Sequence, residues 1–309
     1  MKTKPLRING LVAATFTPMV DDGSLNLDAI PSVVDHLCHW EVAGLYVVGS
    51  TGEGVSLSSA ERRAAVEAFV GAAAGRVPVI VQVGHNSVAE AREMAAHAQQ
   101  VGATAVSATP PSYFKPATVD LLARTMAEIA GAAPELPFYY YHIPHVTGVQ
   151  PDMLAFLDAA ATHIPTFVGI KFTSPALDQL MACADSHTGA FEILNGFDEM
   201  LLPALAIGAR GAVGSTYNYA APVYAQMMAA FRRGDLPEAR QWQLQAVAMI
   251  RCIVRRHGLA GQKAVMKLIG HDCGPARLPL PQLDASEIAQ LREELQSLGF
   301  FQWIGKAPG

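Results

Sequence analysis

The 309-residue sequence has no CxxC pair, no clustered charge and no long apolar run. Its four cysteines, Cys38, Cys183, Cys252 and Cys273, stand far apart, so neither a zinc site nor a dithiol redox motif is indicated. Isolated cysteines on apolar segments behave as small buried hydrophobes, and this usage fits a reducing compartment, the cytoplasm. Charged residues make up only 16% of the chain, and the net charge of −5 is spread along it. No basic block points to nucleic acid, and no acidic tail points to disorder. No stretch reaches the roughly 18 uninterrupted apolar residues of a membrane span. The opening MKTKPLRINGLVAATFTP lacks the apolar run and cleavage site expected of a signal peptide. There is no HxH or HExxH spacing to suggest metal ligands, and no GxGxxG or P-loop after the first apolar run to suggest a nucleotide. These absences leave a protein expected to work without a metal or a bound nucleotide, and without nucleic acid or a membrane.

Apolar residues make up 51% of the sequence, enough for a large core. They are arranged as short apolar runs alternating with longer amphipathic ones. The short runs, at 10–16, 44–49, 77–84, 103–109, 137–141, 166–171, 191–196 and 211–215, read as parallel strands buried on both faces. Between them the pattern predicts helices over 27–40, 58–74, 88–101, 119–130, 151–160, 175–185, 199–207 and 220–232. The helix at 58 opens with SSAE, a capping box of Ser58 and Glu61. Eight strand–helix units favour an α/β fold of the (β/α)8 TIM-barrel type over an open sheet. After about residue 234 the strand pattern stops. Helices are predicted over 236–257, 262–269 and 284–297, the last two separated by CGPARLPLPQ. The expected organisation is a catalytic barrel over 1–233 and a C-terminal helical extension over 234–309 packed on it.

In a parallel barrel the active site lies at the C-terminal ends of the strands. Lys171 ends an apolar run, TFVGIK, so its amine emerges from a low-dielectric interior. Desolvation disfavours an ammonium, and a neutral amine is what attack on a carbonyl requires. The plainer alternative is a lysine that reaches solvent or a carboxylate. The loop GSTGEG (49–54) places small residues, with the hydroxyls of Ser50 and Thr51, where backbone amides can approach a carboxylate or phosphate. It is equally readable as a tight turn. Tyr141 ends PFYYY and suits acid–base chemistry. Alternation puts Tyr139 on its face and Tyr140 on the opposite one; aromatic packing is the alternative for all three. His142 is ambiguous. NGFDE (195–199) brings Asp198 and Glu199 to a strand end, able to accept from polyol hydroxyls. Helix capping by Asp198, with Glu199 in the first turn, is the local alternative. GSTYN (214–218) adds Ser215.

GSTGEG, YHIP and GIKFT, in this order at successive strand ends, resemble the N-acetylneuraminate lyase and dihydrodipicolinate synthase family, class I aldolases on a (β/α)8 barrel. The resemblance runs over nearly the whole chain. YYYHIPHVTGV, GFDEMLLPAL, GARGAVGSTYNY and GPARLPL are similar to the lyase branch. The arginine that the synthase branch typically carries after its tyrosine motif is absent, and His145, Val146 and Thr147 follow instead. The resemblance implies catalytic Lys171, forming a Schiff base with the keto carbon of a sugar acid, and catalytic Tyr141, handling the proton of the hydroxyl next to the breaking bond. It implies Ser50 and Thr51 for the substrate carboxylate. It assigns Thr173, Gly196, Asp198, Glu199 and Ser215 to the sugar-binding end. Tyr113, in PPSYFKP, matches a tyrosine that reaches into a neighbouring subunit's site, and a homotetramer is implied. The implied reaction is reversible cleavage of N-acetylneuraminate to N-acetylmannosamine and pyruvate, with no cofactor beyond the lysine. Two alternatives stand beside it: a relative acting on another keto-deoxy sugar acid or a semialdehyde, and a barrel that binds a keto acid without cleaving it.

Overall fold

The computed structural model describes residues 6–305. The outermost residues of the two expected units, 1–5 and 306–309, lie outside them. Eight parallel strands close into a barrel in sequential order: β1 (Gly10–Ala14), β2 (Gly44–Val47), β3 (Val79–Gln82), β4 (Ala105–Ala108), β5 (Phe138–His142), β6 (Phe167–Phe172), β7 (Glu192–Asn195) and β8 (Gly211–Gly214). β8 pairs with β1, Gly211 against Gly10, which completes the closure. Each strand falls within the apolar run that predicts it or ends one residue past it. The runs are buried on both sides because the barrel interior covers one face and helices the other.

The surrounding helices are α1 (Ile30–His39), α2 (Ser59–Ala73), α3 (Val88–Gln100), α4 (Val119–Ala130), the one-turn α5 (Pro144–Thr147), α6 (Met153–His163), α7 (Leu177–Asp185), α8 (Leu201–Ala206) and α9 (Tyr217–Arg232). The capping box forms as expected. Ser58 Oγ accepts from Glu61 N at 3.3 Å, and Ser58 N donates to Glu61 Oε2 at 2.8 Å. The helix expected from 199 instead begins as a 3-10 turn, Asp198–Met200. Beyond the barrel come α10 (Leu236–Val254), α11 (Leu259–Leu268), α12 (Ala285–Leu298) and the short α13 (Phe300–Ile304). None of the described helices is long and apolar enough to cross a membrane.

The apolar interior splits into two clusters, as barrel geometry demands. A large one lies between strands and helices. A small one fills the barrel with Val12, Ala14, Tyr46, Ile80, Tyr139, Tyr141, Val168, Leu194 and Val213, among others. Tyr139 and Tyr141 belong to the inner cluster and Tyr140 to the outer, so the alternation along β5 holds. At the strands' N-terminal end Glu192 closes the barrel floor. It accepts from Tyr139 OH at 2.6 Å and from Ile8 N at 2.5 Å.

Candidate active site

Lys171 is the penultimate residue of β6 and lies directly opposite Tyr141 of β5 in the ladder. It is only 4% exposed. No carboxylate comes within ion-pair distance of its amine among the described residues. Instead Nζ sits 4.0 Å from the ring centroid of Tyr141 and 4.0 Å from that of Tyr46. Burial pushes the amine below its ordinary range; Tyr141 and Asp198 pull it back only in part. A desolvated amine without a counter-ion can present a lone pair to an electrophile.

The GSTGEG loop, with Val48 that leads into it, is more strained than a simple turn. Val48 and Glu53 adopt left-handed backbone, with φ of 50° and 55°, an uncommon conformation that is an outlier for a β-branched residue. A Cβ at Gly54 would overlap the Val48 carbonyl, so the chain closes this tightly only with glycine there. The amides of Glu53 and Gly54 bond back to Ser50 O at 3.1 Å and Gly49 O at 3.0 Å, leaving those of Ser50 and Thr51 outside that pairing. Thr17 Oγ1 donates to Gly52 O at 2.7 Å and anchors the loop to the end of β1. Ser50 Oγ lies 3.5 Å from the Tyr141 hydroxyl, which sets the loop beside the tyrosine.

What holds this strained loop is far away in sequence. Glu53 is buried and ion-paired with Lys263 of α11 at 2.8 Å. Its other oxygen accepts from Arg277 N at 2.7 Å, and Lys263 also donates to Pro275 O at 2.7 Å. Arg277 in turn donates to both carboxylate oxygens of Glu61, at 2.7 and 3.0 Å. These contacts hold Glu61 down to about 2. The GPARLPL segment thus clamps the carboxylate-sized loop from outside the barrel.

On the opposite side stand the sugar-end candidates. Asp198 does not cap its own helix, as the local pattern allows. Its Oδ2 accepts from Thr216 N at 3.0 Å and Thr216 Oγ1 at 2.7 Å, across to the end of β8. Thr216 Oγ1 also lies 2.8 Å from Tyr224 OH. A hydroxyl has one proton, so Thr216 gives its own to the carboxylate and accepts from Tyr224. Gly214 makes room for this carboxylate, since a Cβ there would overlap it. Burial raises Asp198 to about 6 against the pull of the Thr216 bonds. Among the described residues nothing bonds its buried Oδ1 or Thr173 Oγ1 within hydrogen-bond limits, although the Tyr217 hydroxyl is near enough to Asp198 to favour its charged form. Buried acceptors and hydroxyls without partners are costly unless something binds them.

Lys171, Tyr141, Thr51, Thr173, Gly196, Asp198, Glu199 and Ser215 all line one cleft of about 220 Å³ at the C-terminal end of the barrel. Ser50 stands at its edge through Tyr141. Glu199 is exposed on the rim. Tyr113 is not at the cleft of its own chain. It is 76% exposed on the loop after β4, packed edge to face on Phe114, 85% exposed, at 4.9 Å. His142 is buried on the helical side against Phe172, and burial holds it down at about 4. Sequence reasoning missed Tyr46, whose ring faces the Lys171 amine, and the cleft-lining Tyr219, Ile250, Val254 and Gln262, the last three from the extension. Tyr46 looks like any core aromatic in a strand, and only three-dimensional closure brings α10 and α11 to the cleft. A larger groove of about 1220 Å³ runs between α10 and α12. It gathers no comparable set of reactive groups. No group of three or more His, Cys, Asp or Glu side chains that could hold a metal ion occurs among the described residues.

A closed eight-stranded barrel with an unpaired amine at one strand end, facing hydroxyls and a carboxylate, has the build of a barrel lyase. Residues 7–298 match the dihydrodipicolinate synthetase family, and the chain belongs to that family. It is 41% identical over 299 residues to the N-acetylneuraminate lyase of Mus musculus, covering 95% of this chain and 93% of that protein. The structure of the Proteus mirabilis N-acetylneuraminate lyase superposes with a TM-score of 0.91 at 39% identity, covering 94% of this chain and 99% of that one. A catalytic lysine mutant of the Ruminococcus gnavus sialic acid aldolase superposes with a TM-score of 0.90 at 27% identity, covering 96% and 97% of the two chains.

Proposed function

We propose that this protein is an N-acetylneuraminate lyase, a carbon–carbon lyase of the class I aldolase type that reversibly cleaves N-acetylneuraminate to N-acetylmannosamine and pyruvate. The single observation that carries the reading is the Lys171 amine, buried, unpaired and pushed toward its neutral form beside Tyr141. Similarity to lyases over nearly the whole chain supports the choice of substrate.

In this reading the open-chain keto acid enters with its carboxylate against Ser50, Thr51 and their amides. The Lys171 lone pair attacks the keto carbon. With one added proton, water leaves and a cationic iminium remains. The iminium draws in the electron pair of the bond between the third and fourth carbons, while the proton of the fourth-carbon hydroxyl departs toward Tyr141. The aldehyde sugar is released. The enamine left on Lys171 is reprotonated and hydrolysed to pyruvate. The protein lysine supplies the electron sink, so the proposed reaction calls for no other cofactor. Thr173, Gly196, Asp198, Glu199 and Ser215 receive the sugar hydroxyls. The unpartnered Asp198 Oδ1 and Thr173 Oγ1 support this assignment.

The proposal extends to organisation. Residues 1–233 act as the catalytic barrel and 234–309 as a helical extension packed on it. The chain works in the cytoplasm as a homotetramer in which the exposed Tyr113 reaches a neighbouring subunit's cleft. A substrate panel tests the function. Turnover of N-acetylneuraminate is expected to exceed that of 2-keto-3-deoxy sugar acids and aspartate semialdehyde. Negligible turnover of N-acetylneuraminate, with brisk turnover of another member of the panel, overturns the assignment while keeping the reaction class.

A further inference from the structure

The Lys171 amine sits in a corner made of two aromatic faces. Nζ is 4.0 Å from each ring centroid, and the centroids are 5.7 Å apart, so the two rings subtend roughly a right angle at the nitrogen. The rings themselves meet at 79°. Tyr141 is accounted for by proton transfer. Tyr46 is not. Its hydroxyl donates to Ser107 Oγ at 3.0 Å, which fixes the ring, and the amine lies over the ring face. What Tyr46 offers the reacting nitrogen is therefore its π-face alone.

We propose that Tyr46 is a catalytic residue whose ring face stabilises the positive charge that develops on Lys171 Nζ as the iminium forms. The inference rests on the Schiff-base reading of Lys171. The charge balance fixes where it acts. The neutral amine, the keto acid and one proton become the iminium and one water, so a positive charge appears on Nζ. In the cleavage step the electron pair of the breaking bond neutralises that charge. A π-face attracts a cation and is nearly indifferent to a neutral amine, so the ring lowers the barrier to forming the iminium. It gives no help to the cleavage that follows. A carboxylate at the same place would stabilise the charge more strongly but would also hold the resting lysine as an ammonium. The ring supplies a weaker attraction with no counter-ion.

The test replaces Tyr46 with phenylalanine and then with mono-, di- and trifluorophenylalanine, which keep the ring's shape while draining its face of electron density. Two rates are read in the full-length protein: trapping of the pyruvate adduct by borohydride, and single-turnover cleavage of a preformed substrate adduct. Trapping is expected to slow stepwise, by about tenfold across the series, with cleavage unchanged or slightly faster. The acid limb of the trapping profile should also move to lower pH along the series, because the ring stabilises the ammonium as well. A flat trapping series, or equal slowing of both steps, overturns the inference. Absence of any adduct in the unsubstituted protein overturns instead the Schiff-base reading beneath it. Tyr46→Leu, with its fold checked by circular dichroism, should fall at the slow end of the series for trapping.

Discussion

Two lysines are buried among the described residues, one at a barrel strand end and one on α11, and they differ in everything except burial. Lys263 is 2% exposed and Lys171 4%. Lys263 has a carboxylate, Glu53, at 2.8 Å and a carbonyl, Pro275 O, at 2.7 Å. Lys171 has two ring faces. The first is a charge retained and satisfied, which ties α11 to the loop after β2. The second is an amine whose charge the surroundings resist. Burying a lysine can thus serve structure or chemistry, and the partner at its tip decides which. The two are linked: the ion pair of the first clamps the loop that faces the second across the cleft.

Removing each lysine should shift stability in opposite directions. Lys171→Met is expected to abolish turnover, by about a thousandfold or more, yet to raise the melting temperature. The sign follows from proton linkage. The folded amine titrates below its ordinary 10.5, so between the two values the unfolded chain binds more protons and the parent gains stability as pH rises. The stabilisation by Lys171→Met, about 1 kcal/mol or more at neutral pH, should therefore shrink in alkaline solution. Thermal melts across pH, beside activity assays, check both halves.

Lys263→Met should do the reverse. It leaves Glu53 buried and unpaired, which costs about 3–5 kcal/mol. Urea unfolding measures this, and a Glu53→Gln/Lys263→Met double variant should recover a large part of the loss. No recovery would mean that the pair does not act as a pair. A smaller effect concerns the far side of the cleft. Asp198, held at about 6 by burial, loses its charge as pH falls through that value and becomes a weaker acceptor for sugar hydroxyls. KM for the sugar acid should rise several-fold between pH 7 and 5, while kcat changes less. A KM flat across that range would remove Asp198 from sugar binding.

The sequence made the barrel legible because each strand is a short apolar run buried on both faces, and each such run yields a β-strand at its place. Tyr141 and Lys171 were readable as strand-end residues, and their facing in the ladder follows once the barrel closes. Other features had no local signal. Glu53 and Lys263 are 210 residues apart, and neither position hints at the other. Asp198 carries a local pattern that favours helix capping, and tertiary structure overrides it with the two bonds from Thr216. Tyr46 has the pattern of ordinary core packing. Its meaning lies in the position of the Lys171 amine, which only the closed barrel defines.

The chemistry of the cleft depends on which buried lysine is the reactive one. Incubating the full-length protein with pyruvate, reducing with borohydride and mapping the adduct by peptide mass spectrometry asks this directly. A reduced pyruvate adduct is expected on Lys171 and none on Lys263. An adduct on any other lysine with Lys171 unmodified, or no adduct while pyruvate binds, would contradict this.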